Sequence, residues 1–157
     1  EFYPFPEGTM AIGRLDEDSE GLILLTTDGK MSEKVRSAHY EKEYYVQVDG
    51  IVTDDAITKL TQGVEIGFNG TKYITKNCSA FKLDGQPSWL GAGRRIRDER
   101  HGPTSWLSIT LKEGKFRQVR KMTSAVGFPT LRLVRIRIGD YFLEGMNPGD
   151  VQEIKNL

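Results

Sequence analysis

The chain has 157 residues, 38% apolar and 28% charged, and its 22 basic and 22 acidic side chains cancel. That length suits one domain with a sizeable core, and the zero balance excludes a uniformly basic nucleic-acid coat. No apolar run approaches the roughly 20 residues of a bilayer span, no basic-then-apolar leader opens the sequence, and the single cysteine, Cys78, excludes an internal disulfide. The expectation is a cytoplasmic, reducing setting with no membrane.

Residues 22–25, Leu-Ile-Leu-Leu, read as a strand buried on both faces. Asp28-Gly29 turns the chain, and a short helix is expected over 30–38. Residues 42–49 alternate, with Tyr44, Val46 and Val48 on one face and Tyr45, Gln47 and Asp49 on the other, the period of a strand. Thr53-Asp54-Asp55 is a helix start, because the hydroxyl caps free N–H groups and the acids meet the positive end of the dipole. Gly63 is its stop. A strand is expected over 72–83, a loop over 84–103, and a strand over 104–112 with Leu107, Ile109 and Leu111 on one face. Phe116, Val119, Thr123 and Val126 predict an amphipathic helix that Gly127 ends. In the strand over 131–138, Leu131, Leu133, Arg135 and Arg137 share one face against Val134, Ile136 and Ile138. The pattern is that of an α+β domain with a mixed, mainly antiparallel sheet and short flanking helices.

Charge is unevenly placed. Residues 1–20 hold six acids against Arg14 alone, and residues 112–137 hold eight bases against Glu113 alone. Such asymmetry points either to internal pairing or to a local polyanion site, against the plainer reading of solvated faces.

The acids crowd at Asp16, Glu17, Asp18 and Glu20. A calcium loop starting at Asp16 would need a bidentate carboxylate at its twelfth position, where Thr27 stands. His39, His101 and Cys78 make no zinc spacing, and no phosphate loop, nucleophile elbow or dinucleotide fingerprint is present. No metal or cofactor is expected. Two readings of Asp16 remain. Arg14 lies two residues away, on the same face if the segment is extended, and a carboxylate beside a guanidinium can attack an electron-poor carbon. Alternatively, Asp16 only turns the chain before Ser19. Cys78 is either a strand filler or, with a histidine near it, a reactive thiol.

Three motifs carry a family resemblance. Gly13-Arg14-Leu15-Asp16 with Asp18-Ser19, Gly21-Leu22, Leu24-Leu25 and Asp28-Gly29 is the first. Lys42-Glu43-Tyr44 with Val46 is the second, and Glu113 through Met122 with Val126-Gly127 is the third. In this order they resemble the RsuA-type pseudouridine synthases over nearly the whole chain, and PTSWL, VGFPTLRLVR and GDY resemble the large-ribosomal-subunit subgroup E. The resemblance implies a single catalytic domain over 1–157 with a central catalytic cleft, without a separate RNA-binding module and without the family's usual first strand. It implies that Asp16 attacks a uridine of 23S-type ribosomal RNA, at base C6 or sugar C1′. Tyr44 would stack on the base and help deprotonate C5, and Arg120 would pair with the aspartate. Arg14 would fill the place of the flipped nucleotide. RNA contacts are expected from Arg14, Lys42, Arg117 and Lys121, with Arg94 and Arg95, and more loosely Arg97 and Arg100, in the long loop. The acidic and basic stretches would meet in the cleft. Phe116 and Lys121 depart from the family's usual residues. A monomer is expected. The alternatives are a non-catalytic RNA-binding module of the same fold, a core tyrosine at 44, and a solvated arginine loop.

Overall fold

A computed structural model describes residues 3–37, 40–93 and 101–154. The centre is a sheet in the order β10-β9-β4-β8-β7, built from β4 (Lys42–Asp49), β7 (Ser79–Leu83), β8 (Thr104–Leu111), β9 (Thr130–Ile138) and β10 (Tyr141–Phe142). All these neighbours are antiparallel. A two-residue strand, β2 (Glu20–Gly21), joins β9 in parallel. Val134 therefore has Tyr45 on one side and Glu20 on the other. Two hairpin sheets lie outside this array: β1 (Met10–Ile12) with β3 (Leu24–Thr26), and β5 (Glu65–Phe68) with β6 (Thr71–Ile74). The helices are α1 (Gly29–Ser37), α2 (Asp54–Gln62) and α3 (Gln118–Ala125). The expected α+β class, mainly antiparallel with short helices, is what the chain forms.

Alternation along β4 and β8 buries both faces of the sheet in different company. Val46, Val48, Leu107, Ile109, Leu111 and Leu133 pack against Ala56 and Leu60 of α2 and Val119 and Met122 of α3. On the other face Trp106, Val134 and Ile136 are covered by Leu90, with Tyr45 and Trp89 packed alongside. Part of the long loop is thus core cover. The α2 caps are as expected: Thr53 Oγ1 accepts from the Ala56 amide at 3.2 Å, and Gly63 closes the helix at φ 108°.

Four local expectations are revised. The chain leaves β9 after Leu22, whose N–H donates to the Arg135 carbonyl at 3.0 Å, before β3 pairs with β1. Residues 22–25 are therefore not buried on both faces, and Ile23 and Leu25 stay 41% and 40% exposed. The expected strand over 72–83 is two strands, because Thr75 bonds to Val64 through both its N–H and its Oγ1 and turns the chain under α2. The helix begins at Gln118, not Phe116, since Lys115–Gln118 closes a turn with the Gln118 N–H on the Lys115 carbonyl. In β9, Glu43 pairs with Arg137 but Tyr44 with Arg135, leaving Ile136 as a bulge. A bulge inserts one residue and reverses the alternation beyond it. Arg137 accordingly leaves the face of Leu133 and Arg135 and donates to Glu43 Oε1 at 3.2 Å.

Candidate active site

The acidic stretch is a turn held on the sheet by its partners. The Ser19 N–H donates to the Asp16 carbonyl at 2.9 Å, so Asp16 to Ser19 form a tight turn in place of the extended segment. Gly21 anchors its far end: a Cβ there would stand 2.2 Å from the Arg135 carbonyl oxygen, and φ is 110°. Only glycine allows that approach. Arg135 reaches back across the turn, donating from Nε to the Leu22 carbonyl at 2.8 Å and from Nη1 to the Arg14 carbonyl at 3.1 Å.

Onto this turn folds the entry of α3. Arg117 precedes the helix in the left-handed conformation, φ 52° and ψ 33°. Its guanidinium forks onto both Asp18 carboxylate oxygens at 3.0 and 2.9 Å and lies 3.6 Å from Asp16 Oδ2. Arg120 donates from Nη2 to the Asp18 carbonyl at 2.9 Å and to Ser19 Oγ at 3.1 Å. Its Nε is buried with no hydrogen-bond partner among the described residues. Arg132 forks onto Glu20 at 2.8 and 2.9 Å. The acidic and basic stretches thus meet. The Arg117 hydrogen bonds, with the nearby Arg120 charge, outweigh a small burial penalty and hold Asp18 down at about 2.

The expected site residues outside the long loop can each be placed. Asp16 is 19% exposed, and the guanidinium that pairs with it is that of Arg117. Arg120, expected as the partner of Asp16, instead grips the backbone and hydroxyl of the turn. Arg14 does not pair with Asp16; its guanidinium lies 5.6 Å from the centre of the Phe116 ring. Tyr44 packs against the helix-side core beside Arg135. Lys42 is two residues from Tyr44 on the same strand, and burial followed by the Arg135 charge lowers its pKa. Lys121 donates to the Gly67 carbonyl at 3.0 Å and lies 5.2 Å from the Phe116 ring centre. Arg94 and Arg95, with Arg97 and Arg100, lie outside the described residues. Cys78 donates to the Leu60 carbonyl at 3.2 Å, and burial with the Glu113 charge pushes its thiol up to about 11, so it is inert filler. Among the described residues no group of three His, Cys, Asp or Glu side chains is placed to hold a metal ion, and no helix is long and apolar enough to cross a membrane.

Glu113 is a residue whose importance the sequence reading missed. It accepts from the Tyr73 hydroxyl, from the Lys76 N–H at 2.8 Å and from Gln118 Nε2 at 2.9 Å. Burial opposes its charge, but these bonds prevail and lower its pKa. It ties the β5–β6 hairpin to the entry of α3. Being the lone acid among eight bases was the available signal.

The fold, with its central antiparallel sheet and short helices, is that of the pseudouridylate synthases. A solved pseudouridylate synthase matches 94% of this chain and 56% of its own length, at a TM-score of 0.70 and 30% identity. Residues 3–125 match the RNA pseudouridylate synthase family, and the chain belongs to it. It is 42% identical over 147 residues to ribosomal large subunit pseudouridine synthase E of Vibrio parahaemolyticus, spanning 92% of this chain and 60% of that protein. It is 38% identical to the Xanthomonas axonopodis pv. citri protein of the same name, over 93% of this chain and 76% of the relative.

Proposed function

We propose that this chain is a catalytic domain that isomerises a uridine of large-subunit, 23S-type ribosomal RNA to pseudouridine. The observation that carries the proposal is the placement of Asp16: a largely buried carboxylate, 3.6 Å from the Arg117 guanidinium, where the acidic turn meets the basic helix entry. The family, and the names of the relatives, support the substrate class. On this reading the protein acts in the cytoplasm as a monomer.

Asp16 attacks the extruded uridine, at base C6 or sugar C1′, and the C1′–N1 bond breaks. The freed uracil turns, C5 bonds to C1′, the bond from Asp16 to carbon breaks and returns the carboxylate, the proton leaves C5 and N1 gains one, so the reaction is a net isomerisation. Tyr44 stacks on the flipped base and assists loss of the C5 proton. Arg117 complements the charge of Asp16, and Arg120 positions the turn through its bonds to Asp18 and Ser19. Arg14, Lys42 and Lys121 contact RNA, as do Arg94 and Arg95.

Tritium release from ribosomal RNA carrying 5-tritiated uridine tests this. Wild-type protein should release tritium, and Asp16→Asn should stop release while RNA binding persists. Wild-type protein that binds RNA but releases no tritium would establish the non-catalytic module instead.

A further inference from the structure

We propose that Phe116 is a nucleobase-stacking subsite, beside the target position, for an unpaired nucleotide of the RNA, with Arg14 and Lys121 reaching that nucleotide's phosphates. The inference rests on the RNA-modifying reading above and adds to it a contact that lies outside the three expected catalytic side chains.

Phe116 is a large apolar ring left 52% exposed, and it belongs to neither core cluster. Its position follows from the turn at the entry of α3, which projects residue 116 out of the helix. Two cations from distant parts of the chain flank the ring: the Arg14 guanidinium at 5.6 Å and the Lys121 ammonium at 5.2 Å from its centre. Both are held in place. For Lys121 it is the ammonium itself, which donates to the Gly67 carbonyl; for Arg14 it is the backbone, whose carbonyl accepts from Arg135, while the guanidinium is placed by its contact with the ring. Neither cation has a carboxylate partner among the described residues. Both cations lie within the roughly 6 Å of the ring centre that defines a cation–π contact, and with both in place the ring is still 52% exposed.

An aromatic plane bordered by cations is the composition that binds single-stranded nucleic acid: the base stacks and the phosphate finds positive charge. The neighbouring aromatic pair makes a contrast. Phe68 and Tyr73 also have an ammonium near them, Lys115 at 5.2 Å from each centre, but they lie against one another at 6.2 Å and Phe68 is half-buried. Phe116 has no such aromatic neighbour among the described residues. It also directly precedes Arg117, whose guanidinium is 3.6 Å from Asp16. A nucleotide stacked there would lie next to the reacting uridine and bear on which sequence context the enzyme accepts.

The competing role for Phe116 is to shield the stems of Arg14 and Lys121. Leucine retains that apolar cover but offers no stacking plane, whereas tryptophan offers both. Binding of a fluorescein-labelled oligouridylate by anisotropy, over a series of salt concentrations, separates the two. Phe116→Leu should weaken binding about tenfold with the salt slope unchanged, because stacking releases no counterions. Phe116→Trp should bind within about twofold of wild type. Wild-type affinity in Phe116→Leu, or equal losses in both variants, would overturn the subsite. So would a wild-type protein that does not bind the oligouridylate. Tritium release from ribosomal RNA by wild-type protein reports the enzymatic reading independently of any of these outcomes.

Discussion

Arg117 and Asp18 form a two-bond fork, 3.0 and 2.9 Å long, that holds an arginine in a left-handed backbone conformation next to Asp16. A non-glycine residue in that conformation carries strain of about 1 kcal/mol or more, and the fork opposes its relaxation. Asp18 is therefore a positioning residue for Arg117. Asp18→Asn keeps the shape but breaks the charge-assisted fork, and kcat for tritium release should fall about tenfold with KM nearly unchanged. Arg117→Lys should not substitute, since an ammonium cannot make the planar fork. Equal kcat in wild type and Asp18→Asn would remove this role.

The same fork makes stability depend on acid. Asp18 titrates at about 2 in the folded chain against an ordinary value of 3.8, chiefly because of the Arg117 hydrogen bonds. A depressed folded pKa adds stability that is fully present above the unfolded value and disappears as pH falls through the folded one. The increment is thus present at neutral pH and lost between about pH 4 and pH 2. With the carboxylate 44% exposed, solvent screening keeps it to about 1 kcal/mol or less. Urea unfolding of wild type and Asp18→Asn should show a gap at neutral pH that closes toward pH 2.

Glu113 joins three segments through one carboxylate. Glu113→Ala strands the Lys76 N–H and the Tyr73 hydroxyl, and should cost about 2–3 kcal/mol in urea unfolding. Tyr73→Phe should cost about 1 kcal/mol. In the double variant the losses should be clearly less than additive, because both remove the same bond. Additive losses would show that Tyr73 and Glu113 act separately.

Gly21 is set against the backbone of β9 with no room for a side chain. Gly21→Ala should destabilise the chain by about 3 kcal/mol or more, detach β2 and abolish tritium release together with the Arg132–Glu20 pair. Gly8→Ala is the control: it also has positive φ, 83°, but nothing lies within 4 Å of its added Cβ. Its cost should be about 1 kcal/mol. Similar unfolding midpoints for the two variants would contradict the close approach.

Some elements were legible because their causes are local. The alternation of 42–49 marks β4 to the residue, and Thr53 and Gly63 bracket α2, because periodicity and capping act within a few residues. The first and third motifs likewise fall on the acidic turn and the basic entry to α3 that the structure brings together. Other features have distant causes. A continuous apolar run at 22–25 reads as a buried strand until its partner is known, and that partner is the small β1 strand, not the central sheet. The bulge at Ile136 exists only against β4, so the face of Arg137 was not visible in its own segment.

The sequence by itself determined the α+β class and the family, since each is a matter of pattern, and left open whether its acidic and basic stretches pair. Only the tertiary structure decided that Arg117, rather than Arg120, pairs with Asp16, and that Phe116 stands outside the helix between two cations. The physical reason is distance along the chain. Arg117 and Asp18 are 99 residues apart, and a left-handed backbone that no short-range propensity favours is held by contacts that exist only once the sheet has brought the turn and the helix entry together.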